Sequence, residues 1–312
     1  MNGGSTMKSL TTSLHEYIKV RRSLGYQLKE SERYLKKFIK YLKKKGSQYI
    51  TVKLTLEWAT LPQNVKRSYW SRRLSIVRLF AQYRMAEDRR TEVPPSCLLS
   101  QQPNRATPYI YSEKEIKQLL EACQLLSSRG LRHHTYFTFF GLMAVTGCRI
   151  SELISLNRDD IDVKNNWIII HNSKFNKSRL LPLHQTTIHQ LKKYNKIRDQ
   201  FPVDDINAFF LSDRGRRITE WSARYVFIKI SKQIGLRDPL DSNGPRIHDI
   251  RHSFAVKTLL DWYRKGINID KKIALLSTYL GHKKPTDTYW YVTGTPELLA
   301  QATTRLEKNI GE

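Results

Sequence analysis

The sequence has few cysteines and no long apolar run, and each shortage excludes a class of protein. Its 312 residues include only three cysteines, Cys97, Cys123 and Cys148. No C-x-x-C pair occurs, which excludes a zinc ribbon or finger and argues against a disulfide scaffold. The longest stretch without a charged residue is His133–Cys148, and its 16 residues fall short of the roughly 20 that a membrane span needs. Residues 1–10 also lack an apolar core of signal-peptide length, so we expect a cytoplasmic protein.

Acidic residues are also scarce relative to basic ones. The chain has 54 Lys and Arg against 28 Asp and Glu, a formal net charge of +26. A charge of this size indicates a polyanionic partner. The first 105 residues hold 22 of the basic and 7 of the acidic residues, so one third of the chain carries more than half of the excess. With 40% hydrophobic residues the chain can still bury a core.

Four prolines divide the chain into two predicted domains. Pro94, Pro95, Pro103 and Pro108 occur too close together for a continuous helix. We therefore predict a linker at 92–108, between an N-terminal helical domain at 1–91 and a second domain at 109–312. The length of the chain agrees with two domains.

The N-terminal domain is predicted to consist of helices with basic outer faces. Apolar residues follow the i, i+3, i+4, i+7 rule in a helix that ends near Gly46, namely Leu35, Phe38, Ile39 and Leu42. A second helix is predicted over 64–86, with Trp70, Leu74, Val77, Phe80 and Ala81 inward and Lys66, Arg67, Arg72, Arg73 and Arg78 outward. Such faces are either merely solvated or bound to phosphate, and the shortage of acids favours phosphate. The candidate DNA-binding residues are Lys36, Lys37, Lys43, Lys44, Arg72 and Arg73.

The second domain is predicted to be mainly α-helical with one small antiparallel β-sheet. Ser112 and Glu115 form a capping-box pattern at the start of a helix, and an apolar helix is predicted over 135–145. Two short strands, 167–170 and 179–183, are joined by a polar turn at 172–178. After Thr295 and Pro296 a last helix is predicted, with an apolar stripe of Leu298, Leu299, Ala302 and Leu306.

Three further patterns in the sequence do not support a functional site. Gly141 and Gly147 lack the Lys and Ser/Thr of a phosphate-binding P-loop. The acids Asp159, Asp160 and Asp162 could suggest the metal ligands of a carboxylate nuclease, but they lie where a helix passes into a strand, a place where turn acids are common. The adjacent His133 and His134 have no motif that would make them metal ligands. We therefore predict no bound metal.

Four segments of the second domain together point to a specific chemistry. They are Thr146–Leu153 (TGCRISEL), the turn 172–179 (NSKFNKSR), His248–His252 (HDIRH), and Leu280-Gly-His282 followed nine residues later by Tyr291. In this order, and on a strongly basic chain, they resemble the tyrosine recombinases of the phage integrase family. The resemblance covers about 109–300, and the N-terminal domain resembles the family's core-binding domain.

The resemblance implies a role for each matched basic residue. Arg149 and Arg251 would hold the non-bridging oxygens of the scissile phosphate, a role that suits the planar, permanently charged guanidinium. His248 would be a phosphate ligand and candidate proton acceptor, and His282 would add another hydrogen bond. Glu152, one helical turn after Arg149, would orient or neutralise its guanidinium.

The resemblance also implies a nucleophile and a general acid. Tyr291 matches the nucleophile, and Tyr289 is an alternative whose spacing from His282 fits less well. A free phenol has a pKa of about 10 and needs a base or a strongly positive pocket. Lys174 matches the mobile general acid, with Lys177 as a competitor, and Lys177 also joins Arg179 as a candidate DNA-binding residue.

The expected protein is a site-specific DNA recombinase of a bacterial mobile element. It would cleave duplex DNA through a 3′-phosphotyrosyl intermediate without metal, ATP or another cofactor, and would act in the cytoplasm on the nucleoid. The expected assembly is four copies on two DNA sites, and accessory DNA-bending proteins are the other expected partners. The last helix would either dock on a neighbouring copy or pack on its own domain. The alternatives are a type IB topoisomerase and a non-catalytic DNA-binding regulator.

Overall fold

The chain forms two compact units. The structure is a computed structural model that describes residues 8–99, 107–126, 130–173, 177–240, 244–282 and 284–294. Contacts divide the chain into Met1–Arg105 and Ala106–Glu312, a division that falls inside the segment predicted as a linker. The first residues of that segment pack on the first unit, since Glu92 N–H donates to Ile50 O and Leu99 lies in the first core. The domain limits at 91 and 109 remain a prediction.

The described part of the first unit, residues 8–99, contains four helices, α1 (Leu10–Ser23), α2 (Lys29–Lys44), α3 (Val52–Thr60) and α4 (Arg67–Met85). All four apolar residues predicted for the inner face of α2 are buried. On α4 the predicted inner residues Leu74, Val77, Phe80 and Ala81 are buried, and Trp70 is only partly so. The predicted apolar faces of both helices are therefore confirmed, although α4 begins three residues later than predicted.

The expectation that Arg73 lies on the outer face of α4 is wrong. Its side chain is buried, its guanidinium lies 3.8 Å from the ring centroid of Trp58, and its Nη2 donates to Trp58 O at 2.6 Å. A cation stacked on an indole and bonded to a carbonyl is stable in the interior. Arg72 is exposed and pairs with Glu30.

The second unit is mainly α-helical with one antiparallel sheet, as predicted. Its helices are α5 (Glu113–Gln124), α6 (Arg132–Thr146), α7 (Ile150–Ile154), α8 (Gln185–Arg198), α9 (Glu220–Gln233), α10 (Asp249–Arg264), α11 (Ile269–Leu280) and α12 (Thr286–Gly294). A 3-10 turn at Arg158–Asp160 leads into the strands β1 (Ile161–Asp162), β2 (Trp167–Ser173) and β3 (Lys177–Pro182). The predicted capping box between Ser112 and Glu115 is present at the start of α5.

The sheet has the order β1-β2-β3 and supports the segment that carries Arg179. Ile168 lies opposite Ile161 on one side and Leu181 on the other, and both Ile168 and Leu181 are buried. The strand β1 was not predicted, because two residues cannot display an alternating pattern. The pairing of β2 with β3 extends to Ser173 and Lys177, so the predicted hairpin turn is shorter than 172–178.

Two packed clusters in the second unit fix the helices that carry the motif residues. The larger one surrounds α6, whose Phe139 and Phe140 are fully buried. The smaller one joins α10, α11 and α12 through Val256, Leu280 and Tyr291. None of the helices in the described parts of the chain is long and apolar enough to cross a membrane.

Candidate active site

A glycine turn between α6 and α7 places Arg149. Gly147 ends α6 in the left-handed conformation with φ +62°, and a Cβ there would lie 2.5 Å from the ring of Phe254. Both the conformation and the close approach require glycine. The chain then turns so that Arg149 precedes α7, where its backbone N–H donates to Glu152 Oε2 at 2.9 Å.

Glu152 is a buried carboxylate between two arginines. Its oxygens accept from Arg149 Nη1 at 2.6 Å and, in a two-bond arrangement, from Arg179 Nη1 at 3.1 Å and Nη2 at 2.9 Å. Burial by itself would raise the pKa of Glu152, but the hydrogen bonds and charges of Arg179 and Arg149 outweigh it and lower the pKa to about 2. Glu152 is therefore ionised at neutral pH and holds Arg149 in one orientation.

Arg179 lies beneath the site and is largely buried, with 10% of its side chain exposed. Besides the two bonds to Glu152, its Nε donates to Tyr279 O at 2.8 Å. A Cβ on Gly281 would come within 2.8 Å of Arg179 Nη1, so the glycine of the Leu-Gly-His segment makes room for this guanidinium. We infer that Arg179 positions Glu152, a different role from the predicted contact with DNA.

The carbonyls of the two glycine turns bring the arginine pair together. Arg251 on α10 is buried and donates to Gly147 O at 2.8 Å and to Leu280 O at 2.7 Å. Arg149 Nη2 donates to Gly281 O at 2.7 Å. Burial and the charge of Arg149 lower the pKa of Arg251 to about 10, which leaves it protonated at neutral pH. Segments more than a hundred residues apart in sequence thus supply two cations to one place.

The two predicted histidines lie in the segments that supply and hold this pair. His248 immediately precedes α10 and keeps access to solvent. The protein around its ring, and then the charge of Arg251, lower the pKa of His248 to about 4, so it is neutral at neutral pH. His282 follows α11, and its Nδ1 forms a 2.7 Å hydrogen bond with Thr288 Oγ1 on α12. The ring of His282 is inclined by 22° to that of Tyr291, with centroids 6.2 Å apart.

Tyr291 is buried in the same cluster, and a residue that the sequence reasoning missed contacts it. Only 1% of Tyr291 is exposed, and its hydroxyl lies 2.9 Å from Nδ1 of His252. His252 directly follows Arg251 in the HDIRH segment. The recognised segment therefore contained this histidine, but the H-x-x-R motif within it includes only His248 and Arg251.

The remaining candidates lie elsewhere or outside the described residues. Tyr289 is 40% exposed and its hydroxyl donates to Asp270 Oδ1 at 3.3 Å, away from the arginine pair. Lys174 lies outside the described residues, as does the predicted last helix after Thr295. Of Lys177 only the backbone, at the start of β3, is described. Their roles stay predictions.

The acids weighed as metal ligands serve the local fold. Asp160 accepts from Asn157 N–H at 2.7 Å and pairs with His171 at 2.9 Å, and Asp162 accepts from the backbone N–H of Lys164 and Asn165. In the described ranges no three His, Cys, Asp or Glu side chains are grouped as a metal site would require.

Comparison with known proteins identifies the family. Residues 110–297 match the sequence model described as the phage integrase family, which is more than half of the chain. The chain belongs to the phage integrase family. It is similar to a putative integrase/recombinase, y4rB, of Sinorhizobium fredii, with 42% identity over 97% of this chain and 98% of that protein. It is also similar to the tyrosine recombinase XerD of Staphylococcus haemolyticus, with 31% identity over 61% of this chain and 62% of that protein.

Solved structures share the integrase fold. The recombinase XerH bound to a palindromic difH substrate superimposes with a TM-score of 0.65 at 19% identity, covering 88% of this chain and 78% of that one. The Tn1549 transposon integrase in complex with transposon right end DNA gives 0.65 at 15% identity, covering 96% and 100%. These similarities confirm the predicted fold, and the sequence match over 110–297 confirms the predicted family. Neither alternative function, the topoisomerase or the regulator, is favoured.

Proposed function

We propose that this integrase-family chain is a site-specific DNA recombinase in which Tyr291 attacks the scissile phosphate. The observation that carries the assignment is that Arg149 and Arg251 are bonded to the carbonyls of Gly281 and Gly147, while Tyr291 contacts His252, the residue next to Arg251, in the same unit. A buried guanidinium, Arg251, and a partly exposed one, Arg149, near a tyrosine supply a nucleophile and the positive field that a phosphoryl transition state needs. DNA is the partner, in keeping with the +26 charge and with family membership.

The chemistry follows from these groups. Arg149 and Arg251 neutralise the non-bridging oxygens while the Tyr291 oxygen, on losing its proton, forms a bond to phosphorus. The bond from phosphorus to the 5′ oxygen breaks, and that oxygen receives a proton, which we assign to Lys174. The product is a 3′-phosphotyrosyl link and a free 5′ hydroxyl. Attack by another 5′ hydroxyl reverses the step and rejoins the strand, so ATP is not needed.

Cleavage is expected to be independent of divalent metal. The arginine pair supplies the charge stabilisation that metal ions give in other phosphoryl-transfer sites. Formation of the covalent adduct on a nicked duplex should therefore proceed at the same rate in EDTA and in Mg²⁺. A covalent step that requires Mg²⁺ would contradict the mechanism and would restore Asp159, Asp160 and Asp162 as candidate ligands.

The lysines on the outer face of α2 are proposed to contact the DNA backbone. Lys37, Lys43 and Lys44 are exposed, whereas Lys36 pairs with Glu32 at 2.7 Å. Each lysine that neutralises a phosphate contributes about 0.9 to the slope of log affinity against log salt. Replacing these three exposed lysines by alanine should weaken binding to all sequences and flatten that slope by up to about 2.7.

Lys265→Ala is the matched control for this salt titration. Lys265 is exposed and pairs with Asp261 at 2.8 Å, so its loss removes one charge from a surface with no proposed DNA contact. The control slope should equal that of the unaltered chain. If the triple variant also keeps the full slope, the α2 face is only solvated and does not bind phosphate.

We further propose that the substrate is the end of a mobile element and that the active assembly is a tetramer on two DNA sites. The relative y4rB is named as an integrase/recombinase, and the solved Tn1549 protein is a transposon integrase. The apolar stripe from Leu298 to Leu306 would dock on a neighbouring copy, accessory DNA-bending proteins would assist, and the reaction would take place in the cytoplasm on the nucleoid. Two copies of the DNA that flanks the gene, placed on one plasmid, should be recombined, and an unchanged plasmid would contradict the proposed substrate.

A further inference from the structure

The proposed mechanism leaves open where the proton of Tyr291 goes, and the structure offers a specific acceptor. His252 Nδ1 lies 2.9 Å from the Tyr291 hydroxyl oxygen, a normal hydrogen-bond distance. Both side chains are buried, with 9% of His252 and 1% of Tyr291 exposed. Their ring centroids are 5.4 Å apart. The contact joins α10 to α12 directly beside Arg251.

We propose that His252 is a catalytic residue that accepts the hydroxyl proton of Tyr291 during DNA cleavage. The proposal rests on the proposed function and adds the base to it. The O–H bond breaks, its electron pair stays on the Tyr291 oxygen, and the proton moves to His252 Nδ1 to give an imidazolium. The oxygen then bonds to phosphorus as the 5′ oxygen leaves with a proton from Lys174. On rejoining, His252 returns the proton to Tyr291.

The charges around His252 suit this task. On its own helix it faces Arg251 and the ring of His248, whose centroid is 4.9 Å away. From α12 it faces Tyr291 and Trp290. The ring of His282, which follows α11, has its centroid 6.2 Å from that of Tyr291, and the charge of Arg149 acts on Arg251. The two guanidinium groups stabilise a phenolate as it forms.

The alternative acceptor, His248, is less well placed. It lies one helical turn before His252, at the solvent edge of the site. Its pKa is lowered to about 4 by the surrounding protein and by Arg251, which makes it a weak proton acceptor at neutral pH. A position at the edge suits a hydrogen bond to the phosphate, as the family resemblance implies for it.

The test compares two variants of His252 with a surface control. His252→Gln keeps a side chain that can accept a hydrogen bond but cannot take the proton, and His252→Ala removes both properties. His189→Gln, at an exposed position on α8, is the control. For each full-length protein we would measure DNA affinity, thermal unfolding, and the single-turnover rate of covalent adduct formation on a nicked duplex between pH 6 and 9.

At pH 7 both His252 variants should form the adduct at least about 10²-fold more slowly than the unaltered chain, with unchanged DNA affinity. The rate of the unaltered chain should fall as the pH decreases, because a protonated imidazole cannot act as a base. The rate of His252→Gln should instead rise steadily with pH, since hydroxide then removes the proton, so that the deficit shrinks at pH 9. His189→Gln should match the unaltered chain throughout.

Three results would overturn the proposal. A normal rate and pH profile in His252→Gln, with a loss in His252→Ala, would reduce His252 to a positioning residue. Normal rates in both variants would remove it from the mechanism. Loss of the low-pH decline in His248→Gln, but not in His252→Gln, would make His248 the base.

Failure of the proposed function itself is distinguishable, because then the unaltered chain and His189→Gln would form no adduct either. If His252→Ala does not fold, the rate and pH profile of His252→Gln still decide between these outcomes.

Discussion

Tyr291→Phe is expected to abolish the covalent protein–DNA adduct on a nicked duplex while leaving DNA affinity within about threefold of its original value. The substitution removes one oxygen, which is the proposed nucleophile, and leaves the ring packed among His252, His282 and Trp290. Affinity should be unaffected because cationic contacts to many phosphates dominate it. The measurement is denaturing electrophoresis of the trapped adduct alongside a salt-controlled binding titration.

Tyr289→Phe is the matched control. It removes the same atom from the same helix, two residues earlier, where the hydroxyl is exposed and contacts Asp270. The adduct should form at the original rate. An adduct that persists in Tyr291→Phe and disappears in Tyr289→Phe would transfer the nucleophile role and contradict the site described above.

Glu152→Gln is expected to lower the free energy of unfolding by about 3–5 kcal/mol, the usual effect of removing one partner from a buried ion pair. Arg149 and Arg179 would then both lose the buried carboxylate that they contact. Chemical denaturation at pH 7 measures the loss. Glu121→Gln is the control, because Glu121 is exposed and only 3.8 Å from exposed Lys117, and surface pairs of this kind contribute at most about 1 kcal/mol.

The stability difference between the unaltered chain and Glu152→Gln should depend on pH in a defined direction. The pKa of Glu152 lies near 2 in the folded chain, below its ordinary value of 4.5, so the folded state binds this proton less readily than the unfolded state. Ionised Glu152 therefore contributes about 3 kcal/mol to the free energy of unfolding by linkage. This contribution is fully present above pH 4.5 and is lost as the pH falls towards 2. A difference that stays constant from pH 6 to pH 3 would show that the charge of Glu152 does not hold the site together.

The parts of this protein that could be predicted from sequence are those set by local spacing or by chemical type. The apolar period of α2 is a property of neighbouring residues, and Leu35, Phe38 and Leu42 are buried as it predicts. The capping box at Ser112 is likewise local. The four motif segments could be recognised because phosphoryl transfer requires particular side chains, and Arg149 and Arg251 do meet in the fold.

The parts that escaped prediction depend on contacts between distant segments. Arg73 follows the polar pattern of an outer face, yet it turns inward because Trp58 on another helix offers an aromatic surface and a carbonyl. Arg179 resembles a surface cation of a hairpin until Glu152, 27 residues earlier, is brought beneath it. The contact between His252 and Tyr291 spans 39 residues and follows only from the packing of α12 on α10.

The most direct test of the account is to identify the amino acid that is joined to DNA. The adduct trapped on a nicked duplex would be digested with protease and nuclease, and the nucleotide-bearing peptide would be sequenced by mass spectrometry. The account predicts a single modified residue, Tyr291, linked to a 3′ phosphate. A nucleotide on Tyr289, on a serine, or linked through a 5′ phosphate would contradict it.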